Sequence, residues 1–438
     1  MPSSIVSLKH LRYLDLSYND FKQAGIPLFM GALRSLRYIN FSNANFQGEI
    51  PSRIGNLSEL QCFDISNNDL NTPDLSWLHH LSLLRHLDMS RVDLSSARDW
   101  VRWLNMLPAL RVVRLSDCRF SSRVEKTLTH SNLTHIEVLD LSRNSFNFSV
   151  QHNWFWGLTS LKELHLSNSE WSGPIPDALG NMSSLERLNF KEININGDIA
   201  KLMERLPKFS WSKLRVLNFY QANLTGEIPA PEIVHLDISN TSIIDHLPDW
   251  FWVIFHSAIS LFLSNNQISG ALPAKLELES ASVLDISNNS LSGTLPVYVT
   301  APQLERLYIS DNYITGYIPA YFCELYSLKE LDLSNNELTG SFPQCLENDS
   351  SASDPYSCNH FGSMLEVLDL KNNHLSGELL DNLRSAKRLV FLDVSFNKLS
   401  GRLEGWRNQG ELGGDKQITD PILFPSRSQL HPEAQYIY

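Results

Sequence analysis

The stretch LDISNNSLSGTLP, residues 284–296, has near-copies on both sides. LFLSNNQISGALP (261–273) precedes it, and LYISDNYITGYIP (307–319) and LDLSNNELTGSFP (331–343) follow. The shared unit is L-x-x-L-x-L-S-x-N-x-L-x-G-x-I/L-P. Sixteen copies run along the chain, the first opening at Leu8 and the last at Leu389. The position usually held by Asn fixes their register: Asn19, Ala44, Asn68, Val92, Cys118, Asn144, Ser169, Ile193, Ala222, Thr241, Asn266, Asn289, Asn312, Asn336, Asn373 and Asn397. From 19 to 397 is 378 residues over fifteen steps, about 25 per repeat. A period of this size means a stack of short coils, each too small to bury its own apolar residues.

Each position has a physical reason. The L-x-L pair reads as a short strand with both leucines inside and the intervening residue on the open face. Successive strands then stack into one parallel sheet. The Asn amide pairs with backbone groups that the turn leaves open, and stacked amides form a ladder. That ladder is unbroken from Asn266 to Asn397, whereas Val92, Ile193 and Ala222 cannot join it, which predicts a looser middle. The Gly of G-x-I/L-P suits positive φ, and Pro fixes the extended return. The chain reads as an α/β solenoid of about sixteen plant-type leucine-rich repeats, a horseshoe or superhelix with the parallel sheet on its concave face.

Two irregularities break the period. The step from Ala222 to Thr241 is 19 residues, a coil clipped near EIPAPEIVHLDIS. The step from Asn336 to Asn373 is 37 residues, and its extra segment, about 346–363, reads as an exposed loop. Residues 1–403 form the solenoid. Residues 404–438 lack the repeat and read as a disordered tail.

The totals exclude several functions. The 438 residues carry 36 Lys and Arg against 48 Asp and Glu, a formal net charge of −12. Nucleic-acid binding needs clustered basic residues and is not expected. The most apolar run, 250–263, is shorter than the roughly 20 residues of a membrane span. The start, MPSSIVSLKHLRYLDLS, has no leader pattern. The Asp column at Asp15, Asp64, Asp88, Asp140, Asp237, Asp285, Asp332, Asp369 and Asp393 follows the repeat, one residue per coil. It is a face and not a catalytic pair. No phosphate-binding loop, nucleophile motif or Cys/His metal spacing occurs, so the chain reads as a non-enzyme without cofactor or metal.

Residues 74–120 and 238–252, together with the G-x-I/L-P signature, resemble the ectodomains of plant receptor-like proteins, in particular those similar to the ethylene-inducing-xylanase receptor. The resemblance covers about residues 1–403. It implies a plasma-membrane receptor that displays its repeats outside the cell and recognises a peptide, glycan or protein ligand. It further implies signalling through a receptor-like kinase co-receptor docked near the C-terminal repeats, in defence. Such receptors carry terminal caps and a C-terminal span that this sequence does not show, so the membrane link would lie in a longer parent. Two other readings stay open: a secreted inhibitor of microbial wall-degrading enzymes, and a truncated product without independent activity.

Candidate site residues follow from the open face. Arg114, His165, Phe262 and Tyr308 break the Asp column, and Arg187, His235 and Arg306 flank it. An aromatic or Arg side chain there suits a binding hot spot. Of five cysteines, Cys323 and Cys345 occupy equivalent places after the Pro of successive repeats and are expected to form a disulfide. Cys118 holds a ladder position as a buried thiol, Cys62 faces outward, and Cys358 lies in the inserted loop. Glycosylation sequons occur at Asn40, Asn56, Asn132, Asn147, Asn181, Asn223, Asn240, Asn288 and Asn348, and Asn40 falls on the strand face. Trp154, Trp156, Trp250 and Trp252 read as core filling.

Overall fold

A computed structural model describes residues 5, 7–120, 131–147, 149–199, 201–202, 213–226, 234–247, 251–252, 258–343, 364–378, 386 and 388–400. Cys345, Cys358, Asn348, Trp250, the 346–363 insertion and the 404–438 tail lie outside these residues, as do residues 227–233 of the clipped coil. The chain forms two units, Met1–Ile233 and Val234–Tyr438, and the division falls in that coil.

Every repeat contributes one three-residue strand. In the first unit these are β1 (Tyr13–Asp15), β2 (Tyr38–Asn40), β3 (Cys62–Asp64), β4 (His86–Asp88), β5 (Val112–Arg114), β6 (Val138–Asp140), β7 (Glu163–His165), β8 (Arg187–Asn189) and β9 (Val216–Asn218). In the second they are β10 (His235–Asp237), β11 (Ser260–Phe262), β12 (Val283–Asp285), β13 (Arg306–Tyr308), β14 (Glu330–Asp332), β15 (Val367–Asp369) and β16 (Phe391–Asp393). Within each unit neighbours pair in parallel, and equivalent repeat positions face one another, as Leu139 faces Leu164 and Leu331 faces Leu368. The first Leu of L-x-L sits in the strand. The second lies just past its end and still extends the ladder, Leu141 N–H reaching the His165 carbonyl at 2.9 Å.

The amide ladder staples each coil to the one before. Asn289 Nδ2 donates to its own turn at Ile286 O (3.2 Å) and to Leu263 O of the preceding coil (3.1 Å). Its Oδ1 accepts from Ile268 N–H of that coil at 3.0 Å. Asn266, Asn312, Asn336, Asn373 and Asn397 repeat the pattern. At Cys118 the thiol takes over the donor's part, reaching Met89 O at 3.2 Å, and at Thr241 the hydroxyl reaches Ile238 O at 2.7 Å. Val92, Ile193 and Ala222 are buried and make no such bond, yet the backbone ladder continues beside them, as in Glu192 N–H to Tyr220 O at 2.7 Å.

The residue before each ladder position has positive φ in all sixteen repeats, from Tyr18 (53°) to Phe396 (55°). Ten of the sixteen are Asn or Asp, the residues that enter the left-handed region at least cost. Behind the sheet, the first unit returns through 3-10 turns such as Leu28–Ala32 and Ser52–Asn56 and through short helical turns such as Trp100–Leu104. There Trp100, Phe120, Phe146 and Trp171 pack in sequence, with centroids 4.8, 5.8 and 4.7 Å apart. Trp154, Trp156 and Trp252 are buried. In the second unit a further row of parallel strands, from Ile244–His246 to Lys398–Ser400, follows the ladder position.

Candidate functional site

The outward face of the strands is built from two columns, the first and last residue of each strand. Twelve of the sixteen last positions hold Asp or Asn, and each does a structural job. Its Oδ1 accepts the N–H two residues on, at 2.9–3.1 Å, closing the turn that leaves the strand. In seven of them the following Ser adds its hydroxyl to the same oxygen, as Ser334 does to Asp332 at 2.7 Å. The column is thus a set of turn caps, each bond contributing about 1 kcal/mol. The remaining four positions are Arg114, His165, Phe262 and Tyr308.

In the first unit Arg114 lies in register between Asp88 and Asp140, half-buried. His165 turns to Glu163, Nε2 to Oε2 at 3.4 Å, and Arg187 on the next strand approaches Glu163 Oε1 at 3.7 Å. The His165 hydrogen bond holds the Glu163 carboxyl below its ordinary pKa, against the effect of burial. Burial, and then the Arg114 charge, lower the pKa of His86. Cys62 stands between Tyr38 and His86 on this face as a free thiol, its pKa pushed up to about 11 by burial and then by Asp64. It is therefore protonated and a poor nucleophile.

In the second unit Phe262 is half-buried in register between Asp237 and Asp285. His235 and Ser260 are register partners on its flank. Arg306 Nε donates to Glu330 Oε1 at 3.2 Å, and the Tyr308 hydroxyl donates to Glu330 Oε2. Tyr308 is only 9% exposed, so it departs from the exposed aromatic that the column break suggested.

The structure thus joins His165 with Arg187 and Arg306 with Tyr308, and leaves Arg114, His235 and Phe262 in separate places on their unit's face. The two carboxylates that do the joining, Glu163 and Glu330, were missed in the sequence. Their signal was present: each is the first residue of a strand, opposite an Arg on a neighbouring strand. Seven sequon asparagines (Asn56, Asn132, Asn147, Asn181, Asn223, Asn240 and Asn288) are exposed, and Asn40 is half-buried on the strand face. Cys323 is half-buried and disulfide-bonded, and the proposed partner Cys345 lies outside the described residues.

Comparison with known proteins agrees with this architecture. Family models described as leucine-rich repeat region and leucine-rich repeat match residues 2–171 and 302–350, and a third matches 280–300 and 364–386. Receptor-like protein EIX2 of Solanum lycopersicum is 35% identical over 277 residues, 61% of this chain. The chain is a leucine-rich-repeat protein, similar to plant receptor-like proteins. Receptor-like protein EIX1 of the same organism is 31% identical over 189 residues, 42% of the chain. The matched regions span 27% and 18% of those relatives' lengths. Among solved structures, the ectodomain of the plant membrane receptor kinase GASSHO1/SCHENGEN3 from Arabidopsis thaliana, in complex with Casparian strip integrity factor 2, superposes with TM-score 0.68 at 26% identity. That match covers 92% of this chain and 49% of the other. No helix among the described residues is long and apolar enough to cross a membrane.

Proposed function

We propose that this chain is the ligand-recognition part of a plant cell-surface receptor-like protein in defence signalling, displayed outside the cell, and not an enzyme. A peptide or protein ligand lies on a strand face, with Arg114, His165 and Arg187 as its contacts on the first unit or His235, Phe262 and Arg306 on the second. Signalling then passes to a receptor-like kinase partner. One observation carries the reading. Twelve of the sixteen strand-end positions are tied to turn closure, and the other four hold large side chains that give up that bond (Arg114, His165, Phe262 and Tyr308). Trading a cap for Arg114, His165 or Phe262 costs stability and places typical contact residues where a partner could reach them, whereas the buried Tyr308 braces Glu330 beneath that face. Similarity to a 26%-identical ectodomain solved in complex with a bound factor supports a ligand-binding role, and exposed sequons support an extracellular setting.

The test uses the full chain, secreted from glycosylating cells and immobilised. Extracellular fluid from plant tissue and from microbial cultures is passed over it, and retained species are identified by mass. The reading predicts a discrete peptide or protein that the soluble chain competes off. Retention of nothing, or only of species the soluble chain does not compete for, contradicts it.

A further inference from the structure

We infer that the carboxylate row Asp332, Asp369 and Asp393 is a proton-operated switch on the packing of the last coils, in which Asp369 takes up the proton and the coils stack more tightly when it does. The inference concerns the fold's own response to pH and stands apart from the ligand reading.

The row is fixed by strand register. Asp369 on β15 faces Asp332 on β14 and Asp393 on β16. Neighbouring strands lie about 4.8 Å apart, so the three carboxylates cannot space themselves out. The outer two are well served. Asp332 accepts both the N–H and the hydroxyl of Ser334, and Asp393 both donors of Ser395. Asp369 is followed at the equivalent place by Lys371 and receives its N–H alone, at 3.0 Å. The middle carboxylate thus has the fewest donors and the most like-charged neighbours.

The other charges facing the row relieve it only in part, the Lys371 charge offsetting some of the effect of burial and like charge at Asp369. Glu330 on β14 adds a further carboxylate, already engaged by Arg306 and Tyr308. Lys371 Nζ lies 3.9 Å from Asp393 Oδ2. The first residues of β15 and β16 are Val367 and Phe391, which carry no charge. Consistent with this geometry, burial and then Asp332 raise the pKa of Asp369 from 3.8 to about 7.

The sign follows. The folded pKa lies above the unfolded one, so the folded chain binds a proton that the unfolded chain lacks between about pH 4 and 7. The repulsion is fully present above pH 7 and fades as pH falls through that window.

The test compares thermal midpoints of the unglycosylated full chain, wild type and Asp369→Asn, at about pH 8, 7, 6 and 5. Asn keeps the turn cap, as Asn189 and Asn218 already do in this column. The variant is expected to melt several degrees above wild type at pH 8, with the gap closing toward pH 5. A gap that is absent, or that stays constant across the range, overturns the switch. Should Asp369→Asn fail to fold, Asp393→Asn decides. Removing one neighbour is expected to shift the pH dependence of the wild-type midpoint to lower pH, and an unshifted profile overturns the inference.

Discussion

At the scale of single residues, the repeat is held by polar side chains that each close a backbone account. Asn312 is buried, spends its donors on Ile286, Ile309 and Ser310 carbonyls, and accepts Leu291 N–H from the coil before. Asn312→Ala leaves those groups unpaired, each costing 1 kcal/mol or more. It is expected to lower stability by about 3 kcal/mol in denaturant unfolding. Wild-type-like unfolding would show that the amide is dispensable. The strand-end column makes the opposite prediction. Arg114→Asn, in unglycosylated protein, regains the cap that Asn40 makes with Ser42 N–H and should stabilise the chain by about 1 kcal/mol. A destabilised variant would mean that Arg114 is held by its Asp88 and Asp140 neighbours and is not a residue set aside for contact. Much of this scale was legible. The Asn ladder and the Asp column follow from spacing alone. The pairing of Glu163 with His165 and the burial of Tyr308 did not, because a period says which face a residue is on and not which neighbour it turns to. The left-handed residue ahead of each ladder position was hidden by its six exceptions, among them Arg91, Arg143 and Glu192.

At the scale of elements, coils are spaced by the strands on one side and must fit the same spacing behind. Where the return is a 3-10 turn, small residues set the approach. A Cβ on Gly31 would stand 2.2 Å from the Arg53 carbonyl oxygen of the next coil, whereas one on Gly157, at the end of a similar turn, would meet nothing within 4 Å. Gly31→Ala therefore has to push two coils apart and should cost more than about 2 kcal/mol, the scale of overpacking a tight contact. Gly157→Ala should stay within about 0.5 kcal/mol of wild type. Equal effects in thermal unfolding would contradict backbone-limited stacking. The sequence showed the strands and the G-x-I/L-P returns clearly. It did not show which returns become 3-10 turns and which become short strands, as at Lys275–Glu277 and Tyr298–Thr300. That choice rests on how the back of one coil packs on the next, as Lys275–Glu277 packs beside Tyr298–Thr300, and not on local propensity.

At the scale of the whole chain, the strands of each unit supply an ordered surface, and the reading assigns recognition to that surface. The sequence offers a direct way to block it. Because the column is followed by Leu-Ser, Phe262→Asn creates the sequon Asn-Leu-Ser with Leu263 and Ser264, and Arg114→Asn does the same with Leu115 and Ser116. Each places one glycan on the strand face of its own unit, as Asn40 already can near the first strands. The decisive measurement is the affinity of the retained peptide or protein for the secreted wild-type chain and for these two glycan-bearing variants, each also measured after enzymatic removal of its glycans. Loss of at least tenfold in affinity with one or both glycans in place, recovered in part on their removal because the Arg114 or Phe262 contact stays lost, is the predicted result. Undiminished binding to both glycosylated variants would place the ligand elsewhere and contradict the assignment of recognition to the strand face.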